Sequence, residues 1–188
     1  MFDRRRRAFR QRSETSRWLI GLGVLCGSLA IYAYEKITRT PDMPIVGLAS
    51  VSDGDTVRIE GTRIRMLDID APELEQNCDG PDGKAWPCGQ TAADELRKTL
   101  RGQILTCQPH GLDQYRRVLA TCSLPDATNV NAWMVRQGWA VSFGYARVYK
   151  DEESEARLAR RGIWRGTFTE PQKWRHQHPR QETVDTPK

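Results

Sequence analysis

Histidine is scarce in this chain of 188 residues, with only His110, His176 and His178, and none has a partner at metal-ligand spacing. An imidazole-built metal site therefore has no support, and the three histidines are assigned no role. No cysteine pair shows the C-x-x-C spacing of a zinc ribbon, which sets zinc aside. No internal repeat or low-complexity stretch is apparent, so repeat architectures drop out. Basic excess is also missing from most of the chain, although the formal net charge is +5. Residues 1–17 carry seven arginines against Asp3 and Glu14, and the remainder holds 22 basic and 22 acidic residues. The headline charge thus belongs to the N-terminal tail and says nothing about substrate. Within the body, residues 42–155 have a net charge of −6 and residues 156–180 of +6. The second block either faces a polyanion or is an ordinary solvated helix face.

One long uncharged run is present, Trp18–Tyr34, WLIGLGVLCGSLAIYAY. It is at the lower limit for a membrane-spanning helix, with aromatic residues at both ends. The arginines before it belong on the cytoplasmic side, which places the rest outside. Residues 1–17 are read as a basic cytoplasmic tail, 18–34 as a signal anchor, 35–44 as a linker, 45–175 as the folded domain and 176–188 as a disordered tail. The expected location is the bacterial inner membrane, single-pass, with the domain in the periplasm. Cleavage after Ser28-Leu29-Ala30, which would release the domain, is the alternative.

Cys78, Cys88, Cys107 and Cys122 follow that run, and an even number on an exported side suggests two disulfides. Four cysteines allow three connectivities. Cys107 and Cys122 lie in two β-like runs joined by a turn, and Cys78 and Cys88 bracket a Gly/Pro/Asp-rich loop. The reading taken is Cys78–Cys88 and Cys107–Cys122, with free buried thiols as the alternative.

Strands are expected over Ile45–Ile69, Ile104–Gln108 and Arg117–Leu124. Helices are expected over Gln90–Arg101, Asn129–Gln137 and Glu152–Arg161, each stopped by a glycine. That order suggests an α+β domain built on a small Greek-key barrel with about three helices, and an OB-fold is such a barrel.

The densest chemistry lies in Val51–Glu73, VSDGDTVRIEGTRIRMLDIDAPE. It holds Asp55, Asp70 and Glu73, with Arg65 on the strand leading into the last two. Oxygen-only ligands suit a hard cation such as Ca²⁺. Acids beside an arginine suit phosphate chemistry, where cation and guanidinium share the developing charge. Taken singly, Asp55 reads as a turn residue, Asp70 as a cap before Pro72 and Glu73 as an exposed loop residue. Asp68 reads as a solvent-facing strand residue. Tyr115, Tyr145 and Tyr149 are candidates for contact with a base or phosphate, although such tyrosines more often pack. Trp133, Trp139 and Trp164 read as core.

Four motifs in order carry a resemblance: DGDT at Asp53–Thr56; R-x-x-x-x-D-x-P-E at Arg65, Asp70, Pro72 and Glu73; D-x-Y-x-R-x-L-A from Asp113 to Ala120; and N-x-x-x-V-R-Q-G-W-A at Asn131–Ala140. The chain resembles the staphylococcal nuclease (thermonuclease) family over roughly Ile45–Trp174. The resemblance implies a five-stranded OB-fold barrel and calcium held by Asp55, Asp70 and the Ala71 carbonyl. It implies Glu73 as general base, and Arg65 and Arg117 as catalytic arginines on the phosphoryl group. The 5′-oxygen would leave, giving 3′-phosphate ends. Two departures stand out: Ala71 occupies a position where the family usually has Thr, and Arg116 one where it usually has Gly. The expected substrate is DNA or RNA, cut with little sequence preference by a monomer. The rival readings are a non-catalytic OB-fold nucleic-acid-binding module and an envelope or exopolysaccharide biogenesis factor with a vestigial site.

Overall fold

The computed structural model describes residues 43–179. The expected anchor, tail and most of the linker lie outside them. Among the described residues no helix is long and apolar enough to cross a membrane.

Five strands close a barrel: β1 (Ile45–Val51), β2 (Thr56–Ile59), β3 (Thr62–Met66), β7 (Ile104–Leu112) and β8 (Val118–Ser123), in the order β1-β2-β3-β8-β7. Closure pairs the two edges that an open sheet would expose. Alternation decides which side chains fill it. Val57, Ile59, Ile64, Met66, Leu105, Val118 and Ala120 point inward and are buried, while their strand neighbours face out. Outside the barrel are two short pairs, β4 (Ile69–Asp70) with β9 (Val141–Ser142), and β5 (Cys78–Asp79) with β6 (Ala85–Trp86).

Among the described residues four helices are present rather than three. They are α1 (Cys88–Leu100), α2 (Val130–Arg136), α3 (Lys150–Leu158) and α4 (Pro171–Gln177). A 3₁₀ turn at Gly162–Arg165 follows α3. The first helix buries Ala92, Ala93, Leu96 and Leu100 against the barrel. The second is capped by the Asn129 side chain, which accepts from the Ala132 amide at 3.0 Å. The unexpected helix, α4, is short and polar and buries only Pro171 at its start. A proline at the first turn is a start signal, but a single buried residue gives no periodicity to read. This helix continues two residues past the domain boundary expected at 175.

Trp133 and Trp139 pack against the main core. Trp164 packs on a second, smaller one built from Cys78, Cys88, Val141 and Ile163. Both disulfides are formed as paired above, Cys78–Cys88 and Cys107–Cys122. Cys107 and Cys122 are direct register partners on β7 and β8.

Candidate active site

The D-G-D-T segment turns the chain between β1 and β2. The Asp55 amide donates to Asp53 Oδ1 at 3.1 Å, and the Ser52 amide to the Thr56 carbonyl at 2.9 Å. Gly54 is required there by contact: a Cβ would lie 2.6 Å from that of Ala71. The turn thereby lies directly against the Asp70-Ala71 segment, and Asp55 is buried.

Asp55 and Asp70 meet through one guanidinium. Arg65 Nη1 donates to Asp55 Oδ1 and Nη2 to Asp70 Oδ1, both at 2.8 Å. The planar fork serves the two carboxylates from separate nitrogens held in fixed geometry, which an ammonium does not reproduce. Thr56 Oγ1 donates to Asp55 Oδ1 at 2.9 Å, and the Ala71 amide to Asp55 Oδ2 at 3.2 Å. The Ala71 main chain thus meets Asp55 through its amide. Burial pushes the Asp55 carboxyl up to about 6, against the opposing pull of Arg65. Burial raises Asp70 as well, although Arg175 and Arg65 oppose it. The positive charge around the two acids does not offset their desolvation.

Glu73 enters from the loop after β4. Its amide donates to Gln76 Oε1 at 3.3 Å, and its carbonyl accepts from the Gln76 amide at 2.8 Å. Gln76 is fully buried, and its Nε2 donates to the Thr169 carbonyl at 2.7 Å. A Cβ at Gly89 would lie 1.7 Å from the Glu73 carbonyl oxygen. The α1 N-terminus therefore presses directly on the Glu73 backbone, and only glycine admits that approach. The neighbouring acid, Glu75, is exposed.

The second arginine of the cluster comes from α4. Arg175 Nη1 donates to Asp70 Oδ1 at 2.9 Å and to Glu73 Oε1 at 3.0 Å, and Nη2 donates to Asp70 Oδ2 at 3.0 Å. Sequence reasoning missed both Arg175 and Gln76. The signal available was the excess of cations after residue 156. Most of those cations are engaged inside the fold. Arg157 pairs with Glu153 and lies over Trp164, Arg161 pairs with Glu155, and Arg165 lies over Trp86.

Arg117 is placed differently. The parallel β3–β8 register pairs Arg65 with Leu119, so Arg117 lies one alternation back on the same outer face. Its side chain is turned onto its own loop: Nε donates to Asp113 Oδ2 at 2.7 Å, and the guanidinium lies over the Tyr115 ring. Burial works against the Asp113 charge, but its bonds to Arg117 prevail and hold the carboxyl below its usual range. Arg116 keeps the tight turn without glycine, at a φ of 61°. The Asp113 carboxylate compensates by accepting from the Tyr115 and Arg117 amides, each at 2.9 Å.

Tyr115 and Tyr145 are exposed, whereas Tyr149 is buried in the main core. An open cleft of about 450 Å³ runs beside the cluster, lined by Asp70, Ser142, Tyr145, Arg147, Glu170 and Lys173. Asp68, expected on a strand, instead occupies a turn with φ 62°. Among the described residues no group of three or more His, Cys, Asp and Glu has a metal-binding arrangement. Two buried carboxylates joined by one guanidinium nevertheless offer oxygen ligands and no nitrogen or sulfur. That donor chemistry fits a hard divalent cation and not zinc.

A closed five-stranded barrel with an acid–guanidinium cluster on its outer face defines an OB-type domain with a site suited to phosphate chemistry. The model of the family "Staphylococcal nuclease homologue" matches residues 63–166, and the chain belongs to that family. It is 37% identical over 125 residues to the Succinoglycan biosynthesis protein ExoI of Rhizobium meliloti (strain 1021), covering 65% of each chain. It is 32% identical over 136 residues to an uncharacterized endonuclease of Escherichia coli, covering 67% of this chain and 81% of that one. It is also 32% identical over 144 residues to a micrococcal nuclease of Shigella flexneri, covering 66% and 76%. The aligned part thus spans just under two thirds of the rhizobial relative's length. Asp55 and Arg175 lie on either side of the residues that the family model matches.

Proposed function

We propose that the protein is a calcium-dependent nuclease that hydrolyses phosphodiester bonds of DNA or RNA with little sequence preference. One observation carries this reading: Asp55, Arg65, Asp70 and Glu73 meet at one place, two of the acids buried and both raised in pKa. Family membership and relatives named as nucleases support it.

In this reading Asp55, Asp70 and the Ala71 carbonyl hold the cation. When bound, calcium would supply Lewis-acid polarisation of a phosphoryl oxygen. Glu73 accepts a proton from the attacking water, held in place by Gln76 and Gly89. A carboxylate is a weak base at neutral pH, so position supplies most of its effect. Arg65 and Arg117 donate to the phosphoryl oxygens, Arg117 after turning away from Asp113. Tyr115 and Tyr145 are exposed for stacking; Tyr149, buried, fits packing better. The test is digestion of plasmid DNA and of RNA with calcium and with a chelator. Glu73→Gln is expected to lose about 10²–10³ in rate, the scale of one lost transition-state contact. Undiminished cleavage by that variant would overturn the assignment.

The location proposed for this domain is the periplasmic face of the inner membrane, held by residues 18–34. Two disulfides fit an oxidising compartment. Fractionation, with protease digestion of spheroplasts, tests it. A second reading has one observation in its favour, the rhizobial relative named for succinoglycan biosynthesis. In that case a deletion strain would keep its nuclease activity and change its surface polymer.

A further inference from the structure

We propose that Arg175 is a positioning residue of the cation site, the resident counter-charge of Asp70 and Glu73, which must release Asp70 before a divalent cation can settle. This inference rests on the calcium reading given above. Asp70 is fully buried, and both of its oxygens are taken: Oδ1 accepts from Arg65 and Arg175, and Oδ2 accepts from Arg175. A cation bound to either oxygen would face a guanidinium nitrogen on the same atom. Like charges at that separation repel strongly in a partly dry site.

The two arginines are not equally free to leave. Arg65 is held at both ends by buried acids, and its side chain is 16% exposed. Arg175 is 34% exposed and projects from a helix that buries only Pro171. Departure of Arg175 therefore disturbs little packing, whereas departure of Arg65 leaves two buried carboxylates short of a partner. The bonds of Arg175 also tie α4 to the barrel. Cation entry should therefore loosen α4, and α4 should in turn weaken cation binding; linkage makes the two effects reciprocal.

The experiment is calorimetric titration of calcium chloride into the detergent-solubilised, chelator-treated full chain, with hydrogen exchange followed over residues 171–177. Arg175→Gln is expected to bind calcium about tenfold more tightly than wild type, the scale of one charge-assisted bond removed. Arg175→Lys should fall between them, since an ammonium lacks the fork that grips both oxygens. In wild type, calcium should speed exchange in α4; in Arg175→Gln, exchange should be fast without it. If Arg175→Gln fails to fold, the lysine variant and the wild-type exchange data decide. Equal or weaker calcium binding in the variants, with wild type binding normally, overturns the inference and leaves the nuclease reading intact. Absence of calcium binding in every form overturns both.

Discussion

Two buried acid–arginine clusters adjoin β9, and they use the same ingredients to different ends. Glu153 on α3 is 3% exposed and is served by two guanidiniums. Arg157 donates to its Oε1 at 2.6 Å, and Arg147 to its Oε2 at 2.7 Å, with the Ser142 amide adding a third donor at 3.3 Å. Around Asp55 and Asp70 the sharing runs the other way. Arg65 is divided between two carboxylates, and Arg175 between Asp70 and Glu73. Both aspartates are pushed up by burial in spite of these partners. One carboxylate with several donors ties α3 to β9 and has no need of another charge. Three carboxylates sharing two guanidiniums are left with less positive charge per acid. The ratio of guanidiniums to acids, rather than the presence of a buried acid, separates the Glu153 cluster from the candidate site.

The comparison can be broken at either end. The largest expected effect is on the functional side. Arg65→Lys keeps the charge but loses the fixed two-nitrogen fork, and should lower cleavage by about 10²–10³. Steady-state cleavage at saturating calcium measures it. On the structural side, Glu153→Ala should cost about 2 kcal/mol in chemical denaturation, less than a fully buried pair because Arg147 and Arg157 are 53% and 51% exposed. Cleavage by the folded fraction should stay near wild type. A large loss of rate at normal stability would erase the distinction between the clusters.

The smallest effect is one of pH. A carboxyl that ionises at about 6 when folded and near 3.8 when unfolded keeps its proton longer in the folded chain. Its contribution is therefore full at low pH and declines as pH rises from about 4 to about 6. Chelator-treated protein should melt about 4–7 °C higher from this carboxyl at pH 4.5 than at pH 6.5. Asp55→Asn should flatten that slope. An unchanged slope would assign the effect to other groups, such as Asp70, which is raised in the same direction.

The cluster was legible where its residues are close in sequence. Asp55, Arg65, Asp70 and Glu73 fall within nineteen positions, on two strands and a turn whose pairing is set by alternation. Arg175 lies 105 residues from Asp70 on a short polar helix, and no local pattern points it at the barrel. Gln76 was equally silent, because a glutamine in a loop looks alike whether it is exposed or fully buried. Tyr149 shows the converse: its residue type suggested a binding role, and packing placed it in the core. Arg116 stands where the family usually has Gly, and the Asp113 carboxylate keeps the turn before β8 in place.

Local order along the chain was enough to indicate the barrel strands, three of the helices and the pairing chosen for Cys78, Cys88, Cys107 and Cys122, because alternation, helix stops and turn residues act between near neighbours. Which cations stand beside the acids was settled only by the closed barrel and by the return of α4 across it. Electrostatic partners are chosen by distance in space, and the last helix comes close to Asp70 only after everything between them has folded.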